Sequence, residues 1–286
     1  MKNVDYIVVG LGLSGLSVAE HLIKNNQSIV VFNLPTLSAS KVAGGMYNPV
    51  ILKRFTLAWN AHEQLDISNE FYSSIAEKLN ILIDQKLNVF RRFNSVEEQN
   101  NWFSAMDKPG LDRFLNPEIT KTINPNIKGE HGFGLVQEAG LINTTYLLET
   151  YMTYLQSLDS LIEETFNYDA LEISPDNVTY KGISAKGIIF CEGFGVMKNP
   201  YFSEIDIRGN KGEYIIIESE SLQLDAAVKS NVFIIPLGNN LYKVGASYDR
   251  DDLTYLPTTE KQEELINQLE KLTDVSYHII DQIAGI

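Results

Sequence analysis

The sequence predicts an α/β protein in which a doubly wound unit on a parallel sheet is joined to a second, α+β unit whose sheet is mainly antiparallel. Three observations carry that class. Within the first 32 residues an apolar strand, a glycine cluster and an apolar-striped helix return to a second strand. A second apolar run, Gly187 to Cys191, stops at the glycine turn Glu192-Gly193-Phe194-Gly195, as a buried parallel strand does. From Ile205 onward the chain changes to short strands separated by turn residues.

The opening segment has a physical logic. Tyr6 to Val9 reads as a strand, Gly10-Leu11-Gly12-Leu13-Ser14-Gly15 follows, and after the helix Ser28 to Phe32 reads as strand again. In that setting the first glycine permits a tight turn and the second lets backbone approach a pyrophosphate. The third lets helix pack on strand, and the free N–H groups of the helix meet anionic oxygens. The segment is therefore read as a Rossmann-like dinucleotide cradle; a purely structural glycine turn is the bland alternative. Leu34 to Val50 is a loop of small residues ending Gly44-Gly45-Met46-Tyr47-Asn48-Pro49, suited to run against a ligand or to turn tightly.

The middle of the chain alternates between helix and strand signals. Leu65, Tyr72, Ile75 and Leu79 repeat at helical spacing after Ala58, Leu87 to Phe93 alternates like a strand, and Ser95 with Glu98 forms a capping box. Lys108 to Gly134 is irregular. Asn143 is a candidate N-cap for a helix striped by Leu147, Leu148, Tyr151 and Leu155, and strand signals follow at Leu161 to Phe166 and Leu171 to Ile173. Beyond Ile205 come Tyr214 to Ile217, Val232 to Pro236 and Leu241 to Ala246, the last two joined as a hairpin by Gly238-Asn239-Asn240. Thr259 with Gln262 caps a helix carrying Leu265, Ile266, Leu269 and Leu272. Lys211 and Glu213 read as turn and strand-surface residues.

Composition narrows the partners. At 286 residues, 44% hydrophobic and 21% charged, the chain matches an ordinary globular protein of one or two domains. A formal charge of -14 repels phosphate backbones and anionic lipid, and Lys53-Arg54 and Arg91-Arg92 are only short basic pairs, so neither nucleic-acid binding nor membrane insertion is expected. The single cysteine, Cys191, excludes an internal disulfide and fits a reducing cytoplasm. The four histidines are scattered without ligand spacing, which argues against a metal site. The apolar start is not a signal peptide, because Asp5 precedes it and Glu20 and His21 interrupt it.

In their order along the chain, these pieces resemble the FAD-dependent amine and amino-acid oxidoreductases of the D-amino-acid oxidase and glycine oxidase family. The resemblance spans nearly the whole length. It is carried by the N-terminal cradle, the Ala39-Ser40 to Gly45-Met46 loop, the Gly187 to Gly195 strand and turn, Arg208-Gly209-Asn210-Lys211-Gly212, Phe233-Ile234-Ile235-Pro236, and Lys243-Val244-Gly245-Ala246-Ser247. It implies an FAD-binding domain over 1–57, 135–204 and 248–286, and a substrate domain over 58–134 and 205–247. It implies a flavin nucleotide along Gly10, Leu11, Gly12, Ser14 and Gly15, with Ala39, Ser40, Gly44, Gly45 and Met46 bringing backbone to it. Phe166 would lie by the adenine, and Gly193 belongs to the second glycine turn. In the family a hydride leaves the carbon beside a neutral amine for flavin N5, and water hydrolyses the resulting imine. The partner is then a small-molecule amine or amino acid.

Two departures from the family pattern shape the remaining expectations. Where the second strand usually ends in Glu or Asp for the ribose hydroxyls, this chain has Asn33, which predicts weaker nucleotide affinity. After Ala284-Gly285-Ile286 the family continues with Arg-Pro and a closing strand, so the chain is expected to lack the arginine that usually pairs with the substrate carboxylate. Candidate substrate residues are then Tyr47, shaping the pocket, and Arg54, holding an anionic group; core packing and a surface charge are their bland alternatives. Phe233 falls where some members have a substrate-facing tyrosine. Competing functions are a flavin domain acting on a modified tRNA uridine, a non-catalytic flavin-binding remnant, and an NAD-binding protein. The net charge disfavours the first, and the second antiparallel sheet disfavours the last.

Overall fold

The computed structural model describes residues 2–34 and 38–286; residue 1 and the part of the expected Leu34–Val50 loop from 35 to 37 lie outside the described residues. In chain order the elements begin with β1 (Lys2–Val9), α1 (Leu13–Lys24), β2 (Ile29–Phe32) and the single turn α2 (Ala39–Val42). Next come β3 (Met46–Tyr47), β4 (Val50–Ile51), β5 (Thr56–Leu57), α3 (Ala61–Leu79), β6 (Asp84–Lys86) and β7 (Val89–Arg92). Then follow α4 (Val96–Met106), β8 (Leu115–Thr120), β9 (Phe133–Val136), β10 (Gly140–Ile142), α5 (Thr144–Ser157) and β11 (Leu161–Ile162). The last part holds β12 (Leu171–Ile173), β13 (Val178–Tyr180), β14 (Ile183–Phe190), β15 (Gly212–Glu218), β16 (Ala227–Lys229), β17 (Phe233–Gly238), β18 (Leu241–Gly245), α6 (Thr259–Glu270) and β19 (His278–Gly285). The chain divides into two compact units, one of Met1–Ala43, Thr144–Gly209 and Ile286, the other of Gly44–Asn143 and Asn210–Gly285.

The first unit is built on a six-stranded sheet of order β11-β2-β1-β14-β13-β12. Its four leading strands are parallel, and β13 and β12 return antiparallel at the edge. Consecutive residues of the inner strands are buried, Ile7 and Val8 fully and Val30 and Val31 fully, as strands covered on both faces must be. Leu16 and Ala19 of α1 and Leu147, Leu148 and Leu155 of α5 are buried as well, and the Tyr151 hydroxyl donates to Glu20 at 3.0 Å, joining the two helices.

The second unit holds an eight-stranded sheet of order β19-β15-β18-β17-β16-β7-β9-β8. All neighbours are antiparallel except β16 and β7. Strand alternation gives it two different faces. Ile215, Ile217, Ile234 and Val244 pack with Leu265 and Leu269 of α6. Burying each of those two leucines contributes roughly 1.5–3 kcal/mol. Val89, Ala227 and Ile235, on the opposite face, pack with Val50, Leu52, Phe55 and the fully buried Trp102. Between β17 and β18, Asn239 and Asn240 both adopt positive φ (50° and 60°), the geometry a two-residue hairpin turn requires.

Local signals are met with small shifts. Ser95 caps α4 by accepting from Glu98 N at 3.2 Å, while the Glu98 carboxylate reaches one residue further back and accepts from Asn94 N at 2.7 Å. The α6 cap is Thr258, which accepts from Lys261 N at 3.3 Å, and the expected Thr259 is the first helical residue. The expected strand at Leu161 to Phe166 is only two residues long, β11. The irregular stretch Lys108 to Gly134 contains β8, which tolerates Pro117 because it is an edge strand. The unit boundaries also differ from the implied domain limits: residues 44–57, 135–143 and 248–285 belong with the eight-stranded sheet. For the last segment the cause is β19, which pairs with β15 along its whole length.

Candidate functional site

In the first unit the glycine cluster sits between the ends of three strands. Gly10 N donates to Phe32 O at 2.8 Å and Cys191 N to Val9 O at 2.7 Å, so the ladders run on into the turn. Gly10 has φ +93°, and a Cβ there would lie 2.4 Å from Cys191 O. A Cβ on Gly15 would lie 2.0 Å from Gly10 O, backbone that cannot swing aside, so the close approach of α1 to the turn demands glycine. Gly12 is the N-cap of α1 and brings no side chain to cap it.

The amides of that turn have distinct fates. Leu11 N donates to Asn33 Oδ1 at 2.9 Å, and Leu13 N to Ser40 Oγ of α2 at 3.1 Å. Ser14 and Gly15 open the helix with N–H groups that find no acceptor among the described residues, and Ser14 is exposed. The Ser14 hydroxyl hydrogen-bonds the Cys191 thiol, whose pKa burial pushes up. A glycine-lined turn with unfilled amides at a positive helix end matches a diphosphate in charge and shape. Gly10, Leu11, Gly12, Ser14, Gly15, Asn33 and Ser40 are thus brought together; Ala39 is the first residue of α2, beside Ser40.

Two expected contacts sit deeper or further along. Phe166 is buried, stacked on Tyr180 at 4.2 Å and set edge-on to Phe32 at 5.7 Å, within the aromatic core. Gly193, with φ +54°, opens a turn whose neighbour Glu192 accepts from the Tyr168 hydroxyl at 2.5 Å and from Asn199 Nδ2 at 2.7 Å.

The remaining expected residues belong to the second unit. Gly45, at φ +69°, passes so close to β10 that a Cβ would lie 2.2 Å from Ile142 O, and Met46 begins β3. Gly44 lies on the sheet face that carries Ile235 and Tyr214, and its N–H donates to the Tyr214 phenol. Burial raises the pKa of that phenol. The Tyr47 hydroxyl donates to Asp84 Oδ1 at 2.8 Å and accepts from Lys86 Nζ at 2.7 Å. Tyr47 is thereby tied to β6, with its ring over Gly140. Arg54 is exposed at the tip of the β4–β5 hairpin, which the buried Leu52 and Phe55 anchor.

The structure corrects the reading of Lys211 and Glu213, which are no surface residues: their side chains are 0% and 1% exposed. Lys211 Nζ lies 2.6 Å from Asp252 Oδ2 and 3.2 Å from Glu213 Oε1, and also donates to Leu256 O. Glu213 accepts from Thr258 N at 2.9 Å, Thr258 Oγ1 at 3.1 Å and Gln282 Nε2 at 2.7 Å. The network joins β15, β19, the start of α6 and the loop between β18 and α6. Nothing local in the sequence signals it beyond a Lys-Gly-Glu triplet, because the partners come from distant positions.

A family model described as "FAD dependent oxidoreductase" matches residues 5–286, and the chain belongs to that family. Its cofactor is FAD. The fold is that of glycine oxidase from Geobacillus kaustophilus (TM-score 0.80, 16% identity, 100% of this chain and 82% of that one). L-amino acid deaminase from Proteus vulgaris is similar at TM-score 0.75, 13% identity, 100% of this chain and 83% of that one. L-alpha-glycerophosphate oxidase from Mycoplasma pneumoniae, solved with FAD bound, is similar at TM-score 0.74, 14% identity, 100% of this chain and 83% of that one. Among the described residues no helix is long and apolar enough to cross a membrane, and no cluster of His, Cys, Asp or Glu is arranged to hold a metal.

Proposed function

We propose that this oxidoreductase removes hydride from the C–N carbon of a small amino acid or amine, with the flavin diphosphate seated on the first turn of α1. The observation that carries the reading is that turn: glycines where any Cβ would collide, and two amides that find no acceptor among the described residues. When bound, FAD supplies the hydride acceptor at N5, and the product imine hydrolyses in water. This chain's own residues position the cofactor. Ser14 and Gly15 offer N–H groups to the diphosphate, Asn33 orders the turn through Leu11, Ser40 closes the edge of the helix end, and the Gly44–Met46 backbone serves the ring system. Tyr47 is the pocket-shaping residue and Arg54 an exposed cation available to an anionic substrate group.

The amine class is supported by neighbours described as a glycine oxidase and an L-amino acid deaminase, and the single cysteine fits a cytoplasmic location. The test is the visible spectrum of protein reconstituted with FAD and mixed anaerobically with amino acids, primary and secondary amines and α-glycerophosphate. Bleaching of the flavin bands by an amino compound is expected. Bleaching by the phosphate ester alone, or by nothing, overturns the substrate class.

A further inference from the structure

Resting on that reading of the substrate, we propose that Lys229 of β16 is the cation that holds the substrate carboxylate, against the ring of Phe233. Strand register brings the residues together. Lys229 pairs with Phe233 of β17 on one side and with Arg91 of β7 on the other, and Phe233 pairs through Gly245 of β18 with Tyr214 of β15. All lie on one face of the sheet, opposite α6. It is the face on which Gly44 rests, against Ile235 and the Tyr214 phenol, so the loop expected to meet the flavin ring and the row from Lys229 to Tyr214 share a surface.

The cations of this face differ in their commitments. Arg91 is taken: its NH2 lies 2.5 Å from Glu98 Oε1 and its NH1 donates to Ser230 O at 2.9 Å. Lys243 of β18 lies over the Tyr214 ring at 5.3 Å. Lys229 Nζ lies 4.6 Å above the Phe233 ring and donates once, to Asn231 O at 3.0 Å; among the described residues no carboxylate pairs with it. An ammonium has three donors, so two are left for a ligand. Burial, reinforced by the nearby Arg91 charge, pushes its pKa down to about 8, and an incoming anion relieves both effects. Arg54 is exposed at its hairpin tip, where water screens an ion pair. The half-buried ammonium beside an aromatic ring is the stronger anchor for a compact anion.

The test titrates the FAD-loaded protein with acetate, read by calorimetry and by perturbation of the flavin bands, so that it does not depend on turnover. Lys229→Met is expected to weaken acetate binding by about tenfold or more. Lys229→Arg should restore most of it, and Arg54→Ala should change it less than Lys229→Met. Acetate affinity of the parent protein should fall as pH rises through about 8, with Arg91, its partner Glu98 and Lys243 as the other charges near this face. Unchanged acetate affinity in a folded Lys229→Met, a loss that follows Arg54→Ala instead, or no acetate binding by the parent overturns the proposal. If acetate binds through Lys229 while no amino compound bleaches the flavin, the substrate class fails and the anion site stands.

Discussion

Replacing Lys211 with methionine tests whether the buried network of the second unit is held by charge. The Lys211 ammonium is wholly buried, 3.2 Å from Glu213 and 2.6 Å from Asp252. At an effective dielectric of about 20, attraction to Glu213 alone amounts to about 5 kcal/mol gross. Methionine removes that attraction and leaves Glu213 charged in the interior, a change that typically costs about 3–5 kcal/mol. The lower end applies, because Thr258 and Gln282 still donate to Glu213 and Asp252, whose side chain is 32% exposed, can turn to water. At 2–4 °C per kcal/mol for a body of this size, the melting temperature should fall by roughly 6–12 °C. The double variant Lys211→Met/Glu213→Gln should recover part of the loss, since an amide in place of the stranded carboxylate carries no charge. Circular dichroism melts of the parent, Lys211→Met, Glu213→Gln and the double variant close the cycle. The reasoning is wrong if Lys211→Met melts within a degree or two of the parent, or if the two substitutions are additive. The ion pair of Lys211 with Asp252 sets an acid limb. Lys211 foremost holds Asp252 down to a pKa of about 2, so its contribution is complete above the usual 3.8 and disappears as pH falls through about 2. In Lys211→Met that limb should begin at higher pH.

The other expectations concern the cofactor. Gly15→Ala puts a methyl against Gly10 O, an overpacking that costs about 1–3 kcal/mol or more, and the purified variant should carry almost no FAD; a full complement of flavin contradicts the cradle. Asn33→Asp keeps the acceptor for Leu11 N and restores a carboxylate for the ribose hydroxyls, a charge-assisted bond worth about 1 kcal/mol more than the amide's, and should tighten FAD binding roughly fivefold; an unchanged dissociation constant refutes the role of Asn33. Tyr214→Phe removes the acceptor of the Gly44 N–H, at about 1 kcal/mol of stability, and should shift the flavin absorption bands; bands identical to the parent's would separate that loop from the ring system.

What could be read from the sequence was what is decided locally. Gly10 and Gly15 answer to contacts within the first 15 residues and to one strand end, and Gly12 to Ser40 close by in sequence; the apolar run at Gly187 announces the parallel strand β14, although Gly187 to Phe190 are half-buried there and not buried on both faces as expected. Edge strands escaped. Leu115–Thr120 contains Pro117 and Glu118, and His278–Gly285 carries His278, Asp281 and Gln282, patterns that resemble loops because one side of each strand meets solvent. Lys211 and Glu213 escaped for a different reason. Their partners Asp252, Thr258 and Gln282 lie 41 to 69 residues away, so only the fold turns two apparent surface charges into a buried network.

The same distinction separates the cofactor from the substrate. A diphosphate is met by backbone amides, and what the sequence must supply is the absence of side chains at fixed spacing, which glycines state openly. A small anion is met by side chains that strand register delivers, and register is invisible until the sheet is assembled. Lys229 and Phe233 are four residues apart and paired across β16 and β17, while the next row inward, Val228 and Ile234, faces α6. A one-residue slip of β16 would carry Lys229 into the apolar contact with Leu265 and Leu269 and expose Val228. The desolvation penalty of a buried ammonium therefore helps to fix the register that places this cation on the face shared with Gly44.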